Sequence, residues 1–296
     1  MSKPRPSSAD QLSSADQLVA RPAPRQRVAT PFLVTKEHRR FVEFADACRR
    51  DRYIGVCYGP PGVGKTLSAR TYAHADAIEP YVRTRWRYTA REKPPSPPTD
   101  LDTTRTAMWT PGVTTTPRQM TAQVSMAIDT LSMAIGDLGR SQDDLTDYPK
   151  EPSFTELLIV DEADRLKNQG LEHLRDVYDR HDFGLVLIGM PGLEKRLARY
   201  PQLYSRIGFA HRYSPLTTAE LTFVLTHHWA RLGLTLTAED FTDSEAIAAV
   251  ARVTSGNFRL VQRLFAQIER ILTINNLHSI TREVVETARE NLVVGN

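Results

Sequence analysis

Short unbroken apolar runs alternate with longer helical repeats along the first two thirds of this chain. Tyr53-Ile54-Gly55-Val56-Cys57-Tyr58, Leu157-Leu158-Ile159-Val160 and Gly184-Leu185-Val186-Leu187-Ile188-Gly189 are each apolar on both faces, as strands buried between two layers are. Ala107-Met108-Trp109 reads as a further short strand, and residues 208–213 as an edge strand. Between them the apolar spacing predicts helices over residues 36–50, 66–77, 118–135, 171–181 and 191–200. Thr35 is placed to cap the first, with Phe41, Phe44 and Ala45 on one face, and Pro117 opens the third. From Thr217 onward the pattern is helical alone, over about 217–232, 243–253, 257–274 and 281–292. Strands alternating with helices imply a doubly wound, mostly parallel α/β sheet, here followed by a small all-helical domain. The expected boundaries are a disordered tail over 1–30, an α/β domain over 31–215 and a helical domain over 216–296.

Candidate chemistry sits where the first strand meets its helix. Gly59-Pro60-Pro61-Gly62-Val63-Gly64-Lys65-Thr66, with Leu67 following, matches G-x-x-x-x-G-K-[ST]. The glycines let backbone N–H groups turn inward around the phosphates of a nucleotide. Lys65 then reaches the β- and γ-phosphates, and the Thr66 hydroxyl binds Mg²⁺. A strand before and a helix after are the context the pattern needs. The strand over 157–160 delivers Asp161-Glu162 to the same edge. There Asp161 holds Mg²⁺ through water, and Glu162 orients or deprotonates an attacking water. Asp164 and Arg165 follow closely enough to form a local ion pair. Arg206 lies just before the edge strand, where an arginine can serve a neighbouring subunit's nucleotide, and Arg196 and Arg199 precede it. Arg259 begins a helix after Ser255-Gly256-Asn257-Phe258 and is placed to reach back to the γ-phosphate.

Composition narrows the rest. The net charge of the 296 residues is only +3, so nucleic-acid binding has to come from a local patch. Residues 81–118 supply one, with Arg83, Arg85, Arg87, Arg91, Lys93, Arg105 and Arg118 interleaved with Tyr81, Trp86, Tyr88 and Trp109. Thr114, Thr115, Thr116 and Arg118 precede a helix N-terminus, which suits a DNA phosphate. A solvated basic insertion that packs on a neighbouring subunit is the alternative for this segment. Cys48 and Cys57 lack C-x-x-C spacing, and Cys57 inside a strand reads as a buried reduced thiol. His227-His228 reads as helix surface rather than a metal site. No apolar run is of membrane-spanning length and no signal-peptide core begins the chain, which points to the cytoplasm. Ser-Ser-Ala-Asp-Gln-Leu occurs twice in the tail, at 7–12 and 13–18.

The order of these parts resembles the AAA+ ATPases over residues 35–292. It joins the phosphate loop, Asp161-Glu162, Arg206 and Gly256-Asn257-Phe258-Arg259. Within them it looks most like the transposition regulators of the TnsC, TniB and MuB type. That likeness lies in Leu158-Ile159-Val160-Asp161-Glu162-Ala163-Asp164-Arg165-Leu166, in Val186-Leu187-Ile188-Gly189-Met190-Pro191-Gly192-Leu193 and in Tyr204-Ser205-Arg206-Ile207. The resemblance implies a bacterial ATPase taking ATP and Mg²⁺. It implies rings or filaments on double-stranded DNA that recruit a transposase, and with no base-reading motif in the chain that binding is expected to be largely independent of sequence. One departure is that Gly189 and Met190 bring no polar side chain to the end of the fourth core strand, which implies slow hydrolysis. A secretion or signalling ATPase that remodels protein without DNA, and a non-hydrolysing nucleotide sensor, remain as rivals.

Overall fold

The computed structural model describes residues 32–87, 96–101, 103–138, 140, 153–237 and 239–292. Five parallel strands form one sheet: β1 (Ile54–Tyr58), β2 (Thr106–Trp109), β3 (Leu157–Val160), β4 (Gly184–Gly189) and β5 (Ile207–Arg212), in the order β2-β3-β4-β1-β5. The unbroken apolar runs have a plain cause. In β3, Leu158 and Val160 join one core layer while Leu157 and Ile159 join the other, and β4 divides in the same way. Both faces are covered, so alternation along a strand is between two dry layers rather than between core and water.

One layer is closed by α1 (Lys36–Asp51), which lays Phe41, Phe44, Ala45 and Cys48 on the sheet. Thr35 caps it as expected, its hydroxyl accepting from the His38 N–H at 3.2 Å. α2 (Lys65–Tyr72) belongs to this layer through Ala69. The other layer is built by α3 (Ala75–Arg87), α4 (Pro117–Gly136), α5 (Asn168–Arg180), α6 (Leu193–Leu197) and α7 (Pro201–Tyr204). The helices α8 (Thr218–Arg231), α9 (Phe241–Thr254), α10 (Phe258–Asn275) and α11 (Arg282–Glu290) follow β5 and bury Trp229, Val250, Leu264 and Ile268.

Three expectations need correction. The helix expected over 66–77 is two helices, broken where His74 takes a left-handed backbone (φ 50°) and meets the Thr104 hydroxyl at 2.9 Å. The second, α3, carries Arg83, Arg85 and Arg87, so the basic segment begins as a helix. The helix expected over 191–200 stops at Leu197. Tyr200 precedes Pro201 and leaves the helical region (φ −116°, ψ 87°) before α7 begins. His228 is not on the surface. It is buried, with its ring stacked on Phe265 at 4.4 Å, while His227 stays exposed. Cys57 is buried and free, as is Cys48, and burial pushes both thiols upward, Cys48 to about 12. Among the described residues no helix is long and apolar enough to cross a membrane.

Burial pushes His228 down to about 4 from its ordinary 6.5, and the charges of Arg231 and His227 act in the same direction. The unfolded chain takes up this proton below about pH 6.5, whereas the folded chain resists until about pH 4. Stability present above pH 6.5 is therefore lost as pH falls through that window. Melting curves at pH 7, 5.5 and 4.5 should show the transition falling with pH. His228→Leu should flatten the fall, and an unchanged pH dependence in that variant would refute the cause.

Candidate active site at the carboxyl edge of the sheet

β1 ends at Tyr58 and residues 59–66 turn back over its carboxyl end. Two residues of the turn need a left-handed backbone, Gly62 (φ 79°) and Gly64 (φ 118°). Lys65 opens α2 and is buried. Its ammonium donates to the carbonyls of Gly59 at 2.6 Å and Pro60 at 2.7 Å. Beneath it Ser68 keys α2 to the fold, its hydroxyl 2.8 Å from the Tyr213 hydroxyl and 3.0 Å from His38 Nδ1. Val63 points down into the α1 layer.

β3 brings Asp161 to the same edge. Its N–H donates to the Trp109 carbonyl at 2.9 Å, and its Oδ1 accepts the Glu162 N–H at 2.9 Å. The Thr66 hydroxyl also hydrogen-bonds this carboxylate. Burial raises Asp161 above the usual carboxylate range, against those two hydrogen bonds. Burial likewise lowers Lys65, against the nearby charges of Asp161 and Asp164. Glu162 takes a left-handed backbone (φ 53°, ψ 41°) that turns the chain out of the strand. It pairs with Arg165, not Asp164 with Arg165 as the sequence suggested. Arg165 also donates to the Pro111 carbonyl at 2.9 Å.

The helical region closes the third side. Asn257 Nδ2 donates to the Pro61 carbonyl at 2.8 Å, and the Arg259 N–H donates to the Gly62 carbonyl at 2.9 Å. The fit is tight enough that a Cβ on Gly62 would lie 2.6 Å from Asn257 Oδ1. Together these elements enclose a cleft of about 540 Å³. Of the residues picked from sequence it gathers Pro61, Gly62, Gly64, Lys65, Thr66, Leu67, Asp161, Glu162 and Arg259. Gly59 and Pro60 lie beneath, as acceptors for Lys65. The cleft also takes in Arg70, Asp164, Arg165, Met190, Phe258 and Gln262. Arg70 is fixed by Glu79, at 2.8 and 3.1 Å, and by Asp76 at 2.7 Å. Of these lining residues, Asp164 and Arg165 were expected as a local ion pair, Met190 at the end of the fourth core strand and Phe258 in the turn before Arg259, whereas Arg70 and Gln262 carried no signal in the sequence. Gly189 lines the cleft too, and the Asp164 carboxylate packs against it.

Arg206 does not join the cleft of its own chain. Its guanidinium lies on Asp179 at 2.7 and 2.9 Å. The basic segment divides. Arg83, Arg87, Thr114, Thr116 and Arg118 are exposed and Thr115 is half-buried. Thr116 caps α4 in a reciprocal pair with Gln119, and Thr115 donates to the Gly112 carbonyl at 3.0 Å. Arg85 is a correction, because it is buried and ion-paired with the fully buried Asp137 at 3.1 Å. Freeing it for a DNA phosphate would take the nearest cation from a fully buried carboxylate, leaving it Arg140 at 3.6 Å and the Tyr81 hydroxyl at 2.7 Å. Tyr88, Arg91 and Lys93 and the tail repeat lie outside the described residues.

Residues 48–197 match the family described as the AAA domain. A Staphylococcus aureus protein named as a potential ATP-binding protein is 46% identical over 273 residues, covering 89% of this chain and 97% of that one. The chain belongs to the AAA-domain family. AAA architecture also relates it to solved structures at low identity. The Thermotoga maritima RuvB Holliday junction branch migration motor matches with a TM-score of 0.53 at 18% identity, over 88% of this chain and 70% of that one. Drosophila ORC bound to DNA matches at 0.50 and 19% identity, over 93% and 69%. At such identity the likeness is one of fold, and it agrees with an AAA sheet flanked by helices and followed by a helical region.

The cleft suits Mg²⁺ with a nucleotide. Among the described residues no group of three His, Cys, Asp or Glu could hold a metal alone. Thr66 and Asp161 offer adjacent oxygens, and Mg²⁺ commonly takes one or two protein ligands beside phosphate and water. Asp161→Asn keeps an acceptor for the Glu162 N–H and removes a buried charge. It should raise the melting temperature of the nucleotide-free protein, by about 2–4 °C for each kcal/mol relieved. A lower melting temperature would contradict the placement of that charge.

Proposed function

We propose that this AAA protein is an ATP-hydrolysing regulator of transposition, which assembles on duplex DNA and engages a transposase. The observation that carries the enzymatic part is the meeting of Lys65, Thr66, Asp161, Glu162 and Arg259 in one cleft. ATP and Mg²⁺ are the ligands this family's site is built for. The Lys65 ammonium leaves the Gly59 and Pro60 carbonyls for the β- and γ-phosphates. Thr66 and Asp161 would hold Mg²⁺, which would supply positive charge beside the phosphates. Glu162 serves as base. The water oxygen bonds to the γ-phosphorus, the bond to the bridging oxygen breaks with its electron pair left on ADP, and the water's proton passes to Glu162. For this Glu162 leaves Arg165, and Arg206 from an adjacent protomer stabilises the transferred phosphoryl group.

The DNA part is supported by exposed Arg83, Arg87 and Arg118, with Thr114 and Thr116 beside the N-terminus of α4. The mixed apolar character of this surface favours the protein-remodelling reading instead, with Val113 75% and Trp86 38% exposed. DNA dependence separates the two.

Glu162→Gln should retain ATP affinity while turnover falls by about 100-fold or more. Equal turnover in both forms would exclude Glu162 as base. Replacing Arg83, Arg87 and Arg118 together by Ala should weaken duplex binding and make its salt dependence shallower, by about 0.9 in log–log slope for each phosphate no longer neutralised. Titrations from 50 to 200 mM salt read this, and an unchanged slope would move the DNA surface elsewhere.

A further inference from the structure

The cleft contains a third carboxylate. Asp164 lies on the short 3-10 turn after Glu162 and lines the same cavity. It is fixed on both sides. Its backbone carbonyl accepts from Arg196 Nη1 at 2.9 Å, and its Oδ2 accepts the Met190 N–H at 2.7 Å. The end of β4 is shaped around it, for a Cβ on Gly189 would lie 2.5 Å from Oδ2 and 2.9 Å from Cγ. Any side chain at 189 would displace this carboxylate from the cleft wall. Oδ1 has no protein donor among the described residues.

Donor and acceptor chemistry limits what this oxygen can meet. An ionised carboxylate only accepts hydrogen bonds. The oxygens of a fully ionised terminal phosphate also only accept. Apart from Mg²⁺ and the Lys65 ammonium already assigned to the phosphates, a group joining the two must donate to one and stay close to the other, and water does this. We propose that Asp164 is a positioning residue for the water that attacks the terminal phosphate of ATP. One O–H of that water donates to Asp164 Oδ1 and the other faces Glu162. As the oxygen bonds to phosphorus, Glu162 receives the second proton and the bridging oxygen leaves with ADP. Asp164 keeps its hydrogen bond to the remaining O–H, now part of the released phosphate, and neither gains nor loses a proton. The assignment rests on ATP hydrolysis at this cleft.

Asp164→Asn separates this role from a structural one. The Met190 N–H requires an acceptor, so the amide oxygen stays on it and the NH₂ turns to the cleft. The packing is preserved while the water-facing acceptor becomes a donor. ATP turnover of the full chain should be measured with duplex DNA and Mg²⁺, alongside thermal melting. In Asp164→Asn, kcat should fall about 10- to 100-fold with KM for ATP within about threefold and the melting temperature unchanged. Asp164→Ala should lose turnover and also melt earlier, since it leaves the Met190 N–H unpaired. Wild-type turnover with an undiminished kcat in Asp164→Asn overturns this assignment alone. So does a loss in that variant that is matched by a lower melting temperature. A wild-type protein that binds ATP without turnover overturns both the assignment and the enzymatic reading beneath it.

Discussion

A lysine ammonium and an aspartate carboxylate are held out of water at the carboxyl edge of a mostly apolar sheet. Burial works against the charge of each, lowering Lys65 and raising Asp161. Neither would stay there without local compensation. Lys65 is compensated by two carbonyls of its own loop, Asp161 by the Thr66 hydroxyl and the Glu162 N–H. The surrounding architecture serves these bonds. Tyr213 and His38 hold Ser68 under the loop, Trp109 fixes the backbone of Asp161, and Asn257 and Arg259 hold the outer turn. Such a site is electrostatically primed, since a polyanion with a divalent cation restores to both groups the partners that burial removed.

The fold was largely open to view in the sequence because its signals are local and strong. Three strands buried on both faces announce themselves as unbroken apolar runs, and the phosphate loop carries its own spacing. Several misreadings arose where a distant contact overrode the local pattern. Nothing near Thr66 says that His74 will turn left-handed, because its partner is Thr104, thirty residues away in sequence. Arg85 looks like its neighbours Arg83 and Arg87 until Asp137 is brought beneath it. His228 reads as surface until Phe265 arrives from another helix. The site divided in the same way. Motif residues were found by spacing, whereas Arg70 and Gln262 enter the cleft through tertiary packing alone.

Two polar bridges tie the cleft to its surroundings. Arg165 spans from Glu162 to the Pro111 carbonyl, at the root of the exposed loop that leads into α4. The second runs through the backbone: Arg259 to Gly62 on one side, and the Leu216 N–H to the Gly256 carbonyl at 2.9 Å on the other. The first joins the acid to the surface that precedes α4, and the second joins the loop to the whole helical region. Neither involves a bulky apolar contact, so each can be exchanged for nucleotide contacts at small cost in core packing.

The strand order has a consequence for the birth of the protein. β1 lies between β4 and β5, whose first residues follow it by well over a hundred positions, so its two neighbours are both synthesised late. The loop that β1 carries leaves the ribosome early yet has no finished wall. Its sheet partners arrive only with residues 184–212, and its outer turn is secured only by Asn257 and Arg259. Long-range pairings of this kind close slowly and leave strand edges bare meanwhile. A nascent chain therefore carries its most recognisable motif without a finished pocket until α10 is made, and becomes able to hold a nucleotide only when Asn257 and Arg259 reach the loop.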